Sequence, residues 1–182
     1  MTEHSRRFVL AMIGAASAMP ALAQSRKTPT ALLAAARRQI GTTLSYDPAY
    51  TRLAYPNGDV PRAKGVCTDV VIRAYRDAFG VDLQSLVNTD MKRAFGSYPK
   101  RWGLKRPDSN IDHRRVPNLQ TFLGRQRAGL TVPDQWSGWR PGDILTCLVN
   151  GNLPHIALVS DRKSMITGRP LLIHNIGAGT RE

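Results

Sequence analysis

Lys64-Gly65-Val66-Cys67-Thr68-Asp69-Val70-Val71-Ile72-Arg73-Ala74-Tyr75 is the stretch on which the fold turns. It reads as a glycine-terminated loop feeding a helix that carries a cysteine in its first turn. Val70, Val71, Ala74, Tyr75 and Ala78 follow Cys67 at offsets of three, four, seven, eight and eleven, so the cysteine heads the buried stripe of an amphipathic helix. A helix start offers unpaired N–H groups and the positive end of the macrodipole, which favour a thiolate over a thiol. Asp69, in the same turn, suits the dipole but opposes the thiolate. Cysteine is also a common small core residue. The case for chemistry therefore depends on what the rest of the chain brings to Cys67.

Upstream, Thr28 caps a helix that Pro29 starts and Gly41 closes, running through Ile40 with Leu33, Ala36 and Ile40 on its apolar face. Residues 41–65 have no sustained period but hold Tyr46, Tyr50 and Tyr55, which predicts an ordered loop near the entrance to the cysteine helix. That helix runs to about Phe79 and stops at Gly80. A second follows from Leu83 to Phe95, with Leu83, Leu86, Val87, Met91 and Ala94 inward. After a long loop over residues 96–116, Pro117 opens a helix through Arg127 with Leu119, Phe122 and Leu123 apolar. The texture then turns to strand. Arg140-Pro141-Gly142-Asp143 is a turn, Ile144 to Val149 a strand ended by the hairpin signal Asn150-Gly151, and His155 to Ser160 and Pro170 to His174 are the next two strands. Helices first and an antiparallel meander last predict an α+β domain, with the helices packed on one face of a small antiparallel sheet.

The N-terminus sets the compartment. Arg6-Arg7 precedes an apolar run from Phe8 to Ala23 ending in Ala21-Leu22-Ala23, which reads as a secretory signal peptide over residues 1–23 cleaved after Ala23. Ser5-Arg6-Arg7 also hints at twin-arginine export. The run is shorter than a spanning helix needs, so no stable membrane insertion is expected after cleavage, and the product is periplasmic or secreted. Residues 24–182 are 159 residues, the size of one domain and enough to bury a core. They carry 24 basic and 12 acidic residues, a net charge of +12, which suits the anionic polymers of the envelope. Nucleic acid is disfavoured by the compartment and by the scattering of the arginines. A monomer is expected.

Cysteine catalysis needs a base within hydrogen-bond reach and a group that orients it. Beyond the leader the histidines are His113, His155 and His174. A hairpin turning at about residues 161–169 sets His155 directly opposite His174 and Ser160 opposite Arg169. Two histidines at one strand end, facing a helix headed by Cys67, make a Cys-His-His relay possible. No C-x-x-C or H-x-x-x-H spacing supports a zinc site from the same three residues, and no cofactor is implied. A Cys67–Cys147 disulfide is the other use of the two cysteines in an oxidising compartment, although a chain this long needs no staple. His113, beside Arg114 and Arg115, is a candidate to line a cleft.

The residues also carry a resemblance. Gly65-Val66-Cys67-Thr68-Asp69, Asp112-His113-Arg114-Arg115-Val116-Pro117-Asn118, Arg140-Pro141-Gly142-Asp143-Ile144, Leu153-Pro154-His155-Ile156-Ala157-Leu158-Val159-Ser160-Asp161 and Ile173-His174-Asn175-Ile176-Gly177 resemble the bacterial domain of unknown function family 1287. That family looks like a branch of the papain-like, NlpC-type cell-wall peptidases and amidases. The resemblance implies an NlpC-type domain with Cys67 as nucleophile, His155 as base and then acid, and His174 as the group orienting it. It also implies a tyrosine near the oxyanion site, for which Tyr46 and Tyr55 both qualify, with Asp69 and His113 as further substrate-side candidates. Cys147 stands where a larger apolar residue is expected. The chain also stops at Glu182, where related sequences run on for a further strand.

The expectation is an exported thiol hydrolase that cleaves an amide bond in peptidoglycan stem peptides. A cationic, non-catalytic peptidoglycan-binding protein is the alternative, and a disulfide or redox protein a third.

Overall fold

A computed structural model describes residues 5–9 and 27–182. The elements run β1 (Arg6–Phe8), α1 (Pro29–Arg37), β2 (Ser45–Tyr46), β3 (Lys64–Gly65), α2 (Cys67–Phe79), α3 (Leu83–Ala94), α4 (Val116–Arg125), β4 (Gly129–Leu130), β5 (Ile144–Val149), β6 (Leu153–Lys163), β7 (Pro170–Asn175) and β8 (Thr180–Arg181). The main sheet has the order β4-β1-β5-β6-β7-β8 and its pairs are antiparallel. β2 and β3 form a separate parallel pair. The fold is thus mixed α+β, with four helices and a mostly antiparallel sheet.

Local chemistry explains the helix ends. The Thr28 hydroxyl accepts from the Ala31 N–H at 3.2 Å, and Asp82 accepts from the Ser85 N–H at 3.2 Å, each satisfying a donor left over at a helix start. Gly80 ends α2 in the left-handed region at φ 67°, where a Cβ is penalised. α1 ends at Arg37, three residues before the predicted Ile40, and Ile40 is exposed. Leu86, expected inward, is also exposed, while Gln84 and Asn88 of the same helix are buried.

α2 differs most from its sequence reading. Residues from Cys67 through Tyr75 are all buried, the polar Thr68, Asp69 and Arg73 included, so this is a central helix covered on all sides. Its apolar residues share one core with Ile144, Ile156, Leu158 and Ile173 of the sheet. Its polar residues hold the long loops. The Arg73 guanidinium forks onto Asp59 at 2.9–3.1 Å and donates to the Val60 and Lys64 carbonyls. Gln84 accepts from the Gly58 N–H and donates to Ala54 and Ser109, tying both long loops to α3. The order expected of residues 41–65 thus comes chiefly from buried polar anchors.

β1 lies within the segment read as a signal peptide. It fills the position between β4 and β5, with Phe8 buried and Arg7 paired to Asp143. Most of the apolar run and the Ala23 cleavage point lie outside the described residues. Among the described residues, no helix is long and apolar enough to cross a membrane.

Candidate active site

The loop before α2 is built for close approach. A Cβ on Gly65 would meet the Asp69 carboxylate at 3.0 Å and Arg73 at 3.1 Å. Asp69 reaches back to accept from the Val66 N–H at 2.6 Å, the reciprocal half of a capping box. Its two oxygens also take the Arg114 guanidinium, at 3.0 and 2.9 Å, in a buried fork. Thr68 donates its hydroxyl to the Arg114 carbonyl at 2.9 Å. The start of the cysteine helix is therefore clamped to the 112–114 turn, and the charge of Asp69 that would oppose a thiolate is matched by a guanidinium.

Three groups hydrogen-bond the Cys67 sulfur: the Ile156 backbone N–H, the Tyr46 hydroxyl and the Thr68 backbone N–H. Tyr46 is placed there by the β2–β3 pairing, which sets it opposite Gly65, two residues before the cysteine. Burial dominates the ionisation and pushes the Cys67 thiol above its ordinary value, with the three hydrogen bonds working in the other direction. Burial likewise raises the Tyr46 phenol to about 12. This corrects the dipole expectation. At the head of α2 the cost of desolvating a thiolate exceeds the help of the neighbouring donors, which favours the thiol.

His155 and His174 meet on one face of the sheet. Pairing runs Leu158 to Ile173 and Val159 to Leu172, and the next step sets His174 opposite Ala157. The predicted register, with His155 directly opposite His174, is thus two residues out. The cause is a later turn: β6 runs on to Lys163, paired with Pro170, which puts the register four residues out, and the irregularity between Val159 and Lys163 takes back two of them. An even slip keeps every side chain on its face, so the histidines still meet. His155 Nε2 lies 2.9 Å from His174 Nδ1, the rings edge to face. Burial, then the neighbouring imidazole, lowers His155 to about 4, and burial also lowers His174. The pair is connected to the sulfur through the His155–Ile156 peptide, whose N–H is one of the three donors at Cys67.

Asn175 completes the assembly and is absent from the sequence-based candidates. Fully buried, it donates its amide to the Gly65 carbonyl at 3.0 Å and the Ser45 carbonyl at 3.2 Å. One side chain thus ties the end of the histidine strand to the cysteine loop and the tyrosine strand. Its position next to His174 was the available signal.

The other sequence candidates separate. Tyr55 is not at the sulfur; its hydroxyl lies 3.5 Å from Ser85 and its ring faces Lys92. His113 is buried at 2 % exposure, with Nδ1 lacking a hydrogen-bond partner among the described residues and its basicity lowered to about 4 by burial. It does not line the cleft as expected. Its neighbour Arg115 does, stacked 4.0 Å over Trp102 and bonded to Asp112. Cys67 and Cys147 are both free thiols, and Cys147 sits across from His155 in the β5–β6 register. The cleft over Cys67 encloses about 400 Å³ between Tyr46, Tyr50, Trp102, Arg115 and Pro154.

Residues 33–182 match the family model described as "Domain of unknown function (DUF1287)". The chain belongs to this family. The DUF1287 match takes in Cys67, Tyr46, Asp69, Arg114, His155, His174 and Asn175, and begins after β1. This DUF1287 chain is similar to the "Uncharacterized protein YijF" of Escherichia coli (strain K12), 53% identical over 155 residues that make up 85% of this chain and 75% of the relative. No solved structure matches the chain.

Proposed function

We propose that this DUF1287 chain is an exported, papain-like cysteine hydrolase of NlpC type that cleaves an amide bond, with the peptide stems of peptidoglycan as substrate. The observation that carries the reading is the joining of a helix-head cysteine to a hydrogen-bonded imidazole pair through the His155–Ile156 peptide. With His155 Nε2 bonded to His174, the reading needs Nδ1 to reach the thiol, a contact that the resting structure does not form. A neutral imidazole and a neutral thiol fit general-base activation at the moment of attack, in place of a standing ion pair.

The steps follow. The Cys67 proton passes to His155 Nδ1 as the sulfur bonds to the scissile carbonyl carbon. The oxyanion is held by the Tyr46 hydroxyl and by backbone N–H at the start of α2. His155 returns the proton to the amide nitrogen, the C–N bond breaks and the amine leaves. Water, deprotonated by His155, attacks the thioester; the C–S bond breaks, the acid leaves and the thiol is restored. Export to the periplasm or beyond rests on the leader reading of residues 1–23, and the net charge suits an anionic polymer.

Incubation of the protein with purified muropeptides, followed by mass spectrometry, tests this. Release of a new amine and acid by the native protein and none by Cys67→Ala is the expected result. No product, together with retention on sacculi that survives Cys67→Ala and His155→Ala, would replace it with a non-catalytic cationic envelope binder.

A further inference from the structure

The Cys67 cleft does not end at Tyr50. The same side chain lines a second cavity of about 980 Å³, bounded by Tyr55, Lys92, Lys105, Arg106 and Asp108. Trp102 and Ile111 of the cleft are followed and preceded in the chain by Gly103 and Asn110 of this cavity, so the two are neighbours with the Tyr50 side chain between them. Lys92, Lys105 and Arg106 outnumber the second cavity's one carboxylate, Asp108. The Asp108 carboxylate is already occupied, accepting from the Tyr50 hydroxyl at 3.0 Å and from the Asn110 backbone and side-chain amides at 2.9 and 3.0 Å. Lys105 and Arg106 are exposed and form no ion pair or side-chain hydrogen bond with any described residue. Among the described residues Lys92 is engaged only with the Tyr55 ring, at 5.8 Å. This contrasts with Arg62, Arg73, Arg114 and Arg125, each of which forks onto a carboxylate.

We infer that this cavity is the subsite for a carboxylate-bearing part of the substrate: an acidic peptide whose scissile amide lies over Cys67 and whose acidic group reaches Lys105 and Arg106 past Tyr50. A peptide is the occupant because this cavity adjoins, across Tyr50, the cleft where an amide would be attacked. The inference rests on the hydrolase reading for that alignment, whereas the charge preference itself does not. The cations are exposed, so each contributes modestly, and the pair together is expected to change affinity about tenfold and to govern its salt dependence.

The test uses the full chain as Cys67→Ala, with the peptide Ala-Glu-Glu-Ala and its isostere Ala-Gln-Gln-Ala as probes, by titration calorimetry at 50 and 300 mM salt. Tighter binding of the Glu peptide by about tenfold at low salt is expected, with the preference lost in Lys105→Gln/Arg106→Gln. Lys163→Gln/Arg169→Gln, the same charge change on the β6–β7 turn, should keep it. Equal binding of the two peptides, or equal loss in both double variants, overturns the subsite. A Glu preference without any hydrolysis of muropeptides by the native protein leaves the subsite and removes the enzyme. Hydrolysis without a Glu preference does the reverse.

Discussion

His155 Nε2 and His174 Nδ1 stand 2.9 Å apart, and this contact fixes which nitrogen of His155 the proposed mechanism leaves free. For Nδ1 to accept a proton, His155 must carry its hydrogen on Nε2 and donate it to His174. His174→Ala frees the ring to take the other tautomer and to turn, and turnover should fall about 10- to 100-fold; His174→Asn, which keeps an acceptor, should retain more of it. His155→Ala removes the proposed base and should cost about 100-fold or more. Comparable losses for the Asn and Ala variants of His174 would deny it the orienting role.

The ionisation state gives a second expectation. Cys67 is held above its ordinary pKa and His155 at about 4, so at neutral pH both are uncharged. Alkylation of Cys67 by iodoacetamide should therefore climb steadily with pH through the alkaline range, and no thiolate absorbance at 240 nm should be present at pH 7. An alkylation rate already at its plateau at pH 6 would mean a standing thiolate–imidazolium pair.

Two buried histidines, His113 and His155, should make the fold sensitive to acid. His113 and His155 are both lowered to about 4 by burial, against an ordinary value of 6.5. The unfolded chain then binds protons that the folded chain refuses, so stability is full above about pH 6.5 and is lost as pH falls toward 4. The more deeply buried His113 alone contributes about 3 kcal/mol to that loss. Urea midpoints at pH 7.5 and 5.0 measure it, and His113→Gln should flatten the difference.

Much of this site was legible in the chain, and the exceptions share a cause. Cys67 at a helix head, Gly80 as its stop, the Ile144–Val149 strand and the meeting of two histidines follow from period, turn chemistry and strand order. Direct opposition of His155 and His174 did not survive, because β6 runs on to Lys163 before it turns and alternation does not mark where a hairpin turns. The two-residue strands β2, β3, β4 and β8 are too short to show a period. Arg73, Gln84, Arg114 and Asn175 were invisible as anchors, since a polar residue in a loop or on a helix reads as solvated until its buried partner is known. His113 failed in the opposite direction, for a histidine between polar neighbours gives no hint that it is buried.

One of those anchors is testable on its own. Asp69 and Arg114 are both buried, and removing the carboxylate leaves an uncompensated guanidinium inside the protein. Asp69→Ala should destabilise the fold by about 3–5 kcal/mol, read as a lower urea midpoint. Asp69→Ala/Arg114→Leu should recover part of it. A single-variant loss below 1 kcal/mol would show that the fork contributes little.

Tyr46 offers the sharpest separation of a positioning role from a merely structural one. Its hydroxyl bonds the Cys67 sulfur and draws the thiol pKa down against the larger effect of burial. Tyr46→Phe keeps the ring and its packing but deletes that bond. The thiol should then titrate at higher pH, and kcat on muropeptides should fall about 10-fold or more, since one donor to a developing charge in a water-poor cleft is worth at least that much. KM should change little, because the hydroxyl acts where charge develops. Thermal melting should be nearly unaltered, the ring remaining half-exposed at the cleft wall. An unmoved thiol titration with intact turnover would remove Tyr46 from the oxyanion site and leave the backbone N–H groups of α2 to hold it alone.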